Sequence, residues 1–96
     1  MLNSKDRATL RGLANKLPAI FHMGKEGITP EFVQGVREAL EARELIKIDI
    51  LQNCEEDVRE ASRIVSERTH SEVVQVIGRK FVLYRKSKTK KGDGVL

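Results

Sequence analysis

Apolar residues recur along this chain with two periods, and the switches between them mark out its elements. Leu10, Leu13, Ala14 and Leu17 stand at i, i+3, i+4 and i+7, the buried stripe of a first helix. Asn3 or Ser4 caps it, Asp6 falls in its first turn, and Pro18 stops it. Ala19 to Met23 reads as a short strand. Residues 28–43 return to helical spacing, with Phe32, Val33, Val36 and Leu40 facing inward, Thr29 as N-cap and Pro30 at the first helical position. Leu45 to Leu51 alternates and puts Ile46, Ile48 and Ile50 on one covered face of a strand. Glu55 to Thr69 forms a third helix, with Val58, Ala61, Ser62 and Val65 inside. Val73–Ile77 and Lys80–Tyr84 are two further β-type runs, split by Gly78-Arg79 at hairpin spacing.

The order αβαβαββ predicts a single small α/β domain, a mixed four-stranded sheet with helices packed on it. Right-handed crossovers make the first three strands run the same way, so their C-terminal ends share one edge. That edge holds the Gly24–Gly27 loop and the Gly78-Arg79 turn. A first helix antiparallel to the first strand returns its start to the same edge. Lys5, Arg7, Arg11, Lys25, Arg79 and Lys80 are then expected to converge. Arg7 and Arg11 share one flank of that helix, and Lys5 and Lys16 lie on the other.

Charge sharpens this picture. The net charge is +4, divided as +3 over residues 1–23, −5 over residues 24–72 and +6 over residues 73–96. Basic ends around an acidic middle suit a polyanion, and nucleic acid is the commonest. A solvated, solubilising surface accounts for the same charges without any partner. No apolar run approaches the ~20 residues of a membrane span, and the charged first sixteen residues do not resemble a secretory signal. Cys54 is the only cysteine, which excludes an internal disulfide and fits a reducing, cytoplasmic setting. One cysteine and two distant histidines, His22 and His70, make no metal site. No pair of carboxylates stands out as acid and base, so neither an enzyme nor a cofactor is expected.

The chemistry centres on Gly24-Lys25-Glu26-Gly27, between the first strand and the second helix. Glycine brings backbone close to a ligand, and the helix start beyond Thr29 presents N–H groups to an anion. A plain connecting turn has the same spacing, so the glycine pair alone decides nothing.

Longer segments do. Leu13-Ala14-Asn15-Lys16-Leu17, Gly24-Lys25-Glu26-Gly27-Ile28-Thr29, Glu44-Leu45-Ile46-Lys47-Ile48 and Val74-Gln75-Val76-Ile77-Gly78-Arg79-Lys80-Phe81-Val82-Leu83-Tyr84-Arg85 together resemble the CRM domain family (chloroplast RNA splicing and ribosome maturation), close to its stand-alone YhbY-type members. The resemblance spans residues 2–85. It implies a fold similar to the C-terminal domain of a bacterial translation initiation factor. It also implies RNA binding through the Gly-x-x-Gly loop and neighbouring basic residues, and a role in assembling the large ribosomal subunit. Carried to this chain, the loop is Gly24 to Gly27 with Lys25 as its basic member; with the helix start and the cations read from helix and topology, the expected RNA-binding set is Lys5, Arg7, Arg11, Lys16, Gly24, Lys25, Gly27, Thr29, Arg79 and Lys80. Glu26 departs from the family pattern, and its carboxylate repels phosphate. Residues 86–96 are expected to form a basic, mobile tail, and the domain to act as a monomer. Phe21, Phe32 and Phe81 are assigned to the core, while Tyr84 fits core or surface. The rival reading is a protein-interaction module, its acidic Glu38, Glu41, Glu44, Glu55, Glu56 and Asp57 facing a basic ribosomal protein.

Overall fold

Each helix begins where a side chain replaces the missing turn of backbone acceptors. In the computed structural model, which describes residues 2–87, these are α1 (Ser4–Ala14), α2 (Pro30–Arg43) and α3 (Val58–Thr69). Asn3 Oδ1 accepts from Asp6 N at 2.7 Å, Thr29 Oγ1 from Phe32 N at 3.0 Å, and Asp57 Oδ2 from Glu60 N at 3.1 Å. Such a cap contributes about 1 kcal/mol. Glu55, Glu56 and Asp57 therefore precede α3 instead of opening it. α1 stops three residues before Leu17, because Lys16 N and Leu17 N bond to Leu13 O and Ala14 O and tighten the last turn.

The strands are β1 (Phe21–Met23), β2 (Leu45–Ile50), β3 (Glu72–Ile77) and β4 (Lys80–Tyr84), in spatial order β1-β2-β4-β3. β1 and β2 are parallel, and β4 pairs antiparallel with both β2 and β3. The first three strands thus share one direction, as the crossover rule requires. The hairpin strand β4 slots between β2 and β3. The rim at the C-terminal ends of β1, β2 and β3 is called the upper rim below.

α2 and α3 cover one face of the sheet. Their Val36, Leu40, Ala61 and Val65 close over Met23, Ile46, Ile48, Ile50, Phe81 and Leu83, all fully or nearly fully buried. Phe21 and Phe32 flank this core edge-to-face, with centroids 5.8 Å apart. Tyr84 belongs inside, in a smaller cluster on the other face, where α1 lays Leu10 and Ala14 on Leu45, Val74, Val82 and Tyr84.

α1 differs from expectation in two ways. Leu13 is 42% exposed, because the helix rests on a narrower stripe of Leu10 and Ala14. The helix also crosses the strands instead of running back along β1. Arg7 meets the start of β3, while Leu17 and Pro18 lie beside Leu45 and Lys47 of β2. It covers the lower part of its face only.

Past β4 the chain stays bonded to the domain through Ser87. Ser87 N donates to the buried Glu44 Oε2 at 2.7 Å, Ser87 Oγ bonds to Glu41 Oε2 at 2.7 Å, and Arg85 reaches Thr69 O at 3.0 Å. Residues 88–96 of the expected tail lie outside the described residues.

Candidate nucleic-acid interface

The loop after β1 closes as a turn, with Gly27 N donating to Gly24 O at 3.0 Å. Gly27 has φ +69°, a conformation that costs an L-residue roughly 1–2 kcal/mol and glycine nothing comparable. Gly24 has no such requirement. A Cβ there would meet only Asn53 Oδ1 at 3.7 Å and Leu51 Cδ1 at 3.8 Å, ordinary contacts. The two glycines of the motif are therefore not equivalent.

Thr29 and Pro30 start α2 as the sequence predicts, yet they leave few free donors. Pro30 has no N–H, and the Phe32 N–H is taken by the Thr29 hydroxyl. Of the first-turn donors the Glu31 N–H remains, beside its own carboxylate. The helix start is thus a weaker anion cradle than the Thr29-Pro30 pattern suggests.

The loop has two sides of different character. Toward the β2–α3 connection it faces Asn53, Cys54, Glu55 and Glu56. Toward β1 and α2 it faces His22, Thr29 and Phe32. Lys25, Glu26 and Gly27 border both, and Lys25 is exposed and makes no ion pair or hydrogen bond among the described residues. The first side adds Glu55 and Glu56 to Glu26, whereas the second has Glu26 alone, so a polyanion is repelled more strongly on the first.

The hairpin turn joins this upper rim, as the parallel strands predict. Ile50 N donates to Arg79 O at 2.7 Å. The Arg79 guanidinium, however, is directed at backbone. It donates to Ile50 O at 3.0 Å, Leu51 O at 2.7 Å and Cys54 O at 3.4 Å. It clasps the connection after β2, a role no sequence spacing announces. Lys80, by contrast, is exposed and carries no pairing among the described residues.

Gly24, Lys25, Gly27, Thr29, Arg79 and Lys80 therefore gather at one rim. The cations of α1 do not join them as expected. Arg7 donates to Val73 O at 2.8 Å and pairs with Glu72 at 3.2 Å, at the opposite end of β3. The physical reason is the tilt of α1, whose start lands on the first residues of β3. Arg11, one helical turn on along the same flank, and Lys5 and Lys16 are exposed and unpaired among the described residues.

The acidic middle is split as well. Glu41 and Glu44 hold the chain at Ser87, and Asp57 caps α3. Glu38 lies near the far end of α2, across the domain from Glu55 and Glu56 at the upper rim. His22 is half exposed, its Nδ1 3.6 Å from Asp49 Oδ2. Cys54 is buried. Among the described residues no group of His, Cys, Asp and Glu is placed to hold a metal, and no helix is long and apolar enough to cross a membrane.

An α/β domain with three helices on a mixed four-stranded sheet and a glycine-bounded loop at the upper rim is the form on which the family comparison bears. The chain belongs to the CRS1 / YhbY (CRM) domain family, whose model matches residues 2–85. It is 44% identical over 91 residues to the Bacillus subtilis (strain 168) protein YqeI, whose name gives it as a probable RNA-binding protein, covering 95% of both chains. It is 31% identical over 90 residues to a Haemophilus influenzae protein named RNA-binding protein, covering 94% of this chain and 91% of that one. The solution structure of SAV1595 from Staphylococcus aureus, put forward as an RNA-binding protein, superposes with a TM-score of 0.79 at 45% identity over 95% of each chain. None of these relatives is named as an enzyme.

Proposed function

We propose that this protein binds RNA through the upper rim and serves as a cytoplasmic assembly factor on precursors of the large ribosomal subunit. The observation that carries the reading is the Gly24–Gly27 turn, with Gly27 in the left-handed region and an unpaired Lys25 at its tip. Backbone N–H groups there approach a phosphate without side-chain obstruction. Lys25 and Lys80 neutralise adjoining phosphates. Arg11, Lys5 and Lys16 extend the field along α1 for a longer RNA. Arg79 acts by holding the rim's shape, and Arg7 by fixing α1 to β3. The likeness to the KH domain's Gly-x-x-Gly clamp supports backbone recognition, although the KH loop joins two helices. With all four aromatics in or beside the core, no aromatic stacking platform is available.

Filter binding against large-subunit ribosomal RNA fragments tests the reading. Lys25→Ala with Arg11→Ala weakens binding at unchanged melting temperature. It also lowers the log–log salt slope by about 0.7 for each phosphate no longer neutralised on a single strand. Unchanged affinity and slope would remove the loop from the mechanism.

The protein-interaction reading keeps a reduced basis. Its carboxylates occupy opposite ends of the domain, with Glu41 and Glu44 at Ser87 and Glu55 and Glu56 beside the loop. A basic ribosomal protein held there would remain bound after nuclease treatment, and RNA held at the loop would not.

A further inference from the structure

Beside the loop, one half of a sheet face is left open. Met23, Ile48 and Phe81 point into the core under α2 and α3, so their neighbours His22, Asp49 and Lys80 point to the α1 face. Strand register aligns them in a single cross-strand row. His22 lies opposite Asp49, Asp49 opposite Lys80, and Lys80 opposite Ile77. α1 covers Leu45, Val74, Val82 and Tyr84, and stops short of this row. Ile77 is 55% exposed, and the side chains of His22 and Asp49 are 54% and 24% exposed.

The four side chains differ in what they offer a nucleotide. An imidazole stacks on a base, a lysine meets a phosphate as a point charge, and an exposed isoleucine supplies apolar contact. Asp49 supplies hydrogen-bond acceptors only. Its 3.6 Å separation from His22 Nδ1 is an ion-pair distance and too long for a hydrogen bond, so both oxygens keep acceptor capacity. His22 also lines the less acidic side of the Gly24–Gly27 loop, which makes the row continuous with the phosphate site. At ~4.8 Å between strands the row spans about 14 Å, long enough for two or three nucleotides.

We propose that the row His22–Asp49–Lys80–Ile77 seats unpaired nucleotides of the RNA strand held at the loop, and that Asp49 selects a base carrying an exocyclic amine. The proposal rests on the RNA-binding reading above and adds base selection to it. Cytosine presents an amine where uracil presents a carbonyl, and a carboxylate accepts from the first and repels the second.

Fluorescence anisotropy with labelled oligocytidylate and oligouridylate of equal length tests it. The wild type favours oligocytidylate by roughly five- to tenfold. Asp49→Ala and the isosteric Asp49→Asn both bring that ratio to near unity, and oligouridylate binds no more weakly than before. Removing a negative charge tightens all RNA alike, so the ratio of the two affinities is the quantity that discriminates. No preference in the wild type, or a preference kept in both variants, overturns the proposal. Gly27→Asp separates the two readings. If it abolishes binding of both oligonucleotides while the wild type shows no base preference, the loop stands and the row falls. If the wild type binds neither oligonucleotide, both readings fall together.

Discussion

Replacing Gly27 and Gly24 by alanine, one at a time, separates two glycines that the motif treats alike. At Gly27 the φ of +69° places an added Cβ in the left-handed region, at roughly 1–2 kcal/mol. Space is not the obstacle, since that Cβ would meet Glu56 Cγ and Oε1 only at 3.9 Å. For a domain of this size each kcal/mol lowers the melting temperature by about 4–8 °C, so Gly27→Ala melts about 4–15 °C below wild type. Gly24→Ala adds only ordinary contacts and restricts the unfolded chain, so its stability stays within about 0.5–1 kcal/mol of wild type, on the stabilising side. Gly27→Asn recovers much of the loss, because asparagine tolerates left-handed backbone. Its Cβ lies toward Glu56 and its amide adds no charge, so RNA binding returns with stability. Gly27→Asp shares that backbone tolerance but sets a carboxylate beside Glu56 and Glu26, and binds RNA poorly. Thermal melts followed by circular dichroism, with the filter assay on the same samples, give both readouts. Equal melting of the two alanine variants, or a larger loss at Gly24, would refute the assignment of strain to Gly27. RNA binding by Gly27→Asp equal to wild type would make the loop a connector.

Arg79→Ala removes three guanidinium bonds to carbonyls after β2 and costs about 1–2 kcal/mol in a urea titration. Arg79→Lys restores less than half, because an ammonium cannot fork across them. Leu10→Ala costs about 2–5 kcal/mol at a fully buried site, while Leu13→Ala stays within about 0.5 kcal/mol, and equal losses would place α1 differently. Burial, with Glu44 and Asp6 nearby, raises the Tyr84 hydroxyl above its usual pKa of 10.0. The folded state then holds a proton that the unfolded chain has released, so stability falls as pH rises above about 10. Tyr84→Phe flattens that alkaline decline, and an unchanged profile would exclude Tyr84 as its source.

Local pattern carried most of the fold. The alternation in Leu45–Leu51, the Thr29-Pro30 helix start and the Gly78-Arg79 hairpin each appear in the structure, because each follows from short-range geometry. The crossover rule then extended them to a shared rim without any contact being known. The misplacements lie in what pattern does not encode. Helical spacing gives Leu10 and Leu13 equal weight, but the angle at which α1 meets the sheet buries one and exposes the other. That same angle takes Arg7 to Glu72 and away from the loop. Arg79 reads as one more surface cation until the curl of the chain after Ile50 brings three carbonyls within its reach. Glu44 is nearly fully buried at φ +66°, and nothing in an acidic run signals that two of its members hold Ser87. The open row of His22, Asp49, Lys80 and Ile77 becomes visible only once strand register is known, since its members come from four separate strands.

The central claim is that RNA meets the upper rim on its His22 side. Backbone amide chemical shifts of the labelled protein, followed during titration with a single-stranded ribosomal RNA fragment, test it most directly. RNA held at that rim gives saturable shifts at Gly24, Lys25, Gly27, His22 and Lys80, with Glu72 and Arg85 at the opposite end unmoved. Shifts confined to that opposite end, or to Asn53–Glu56, would contradict it.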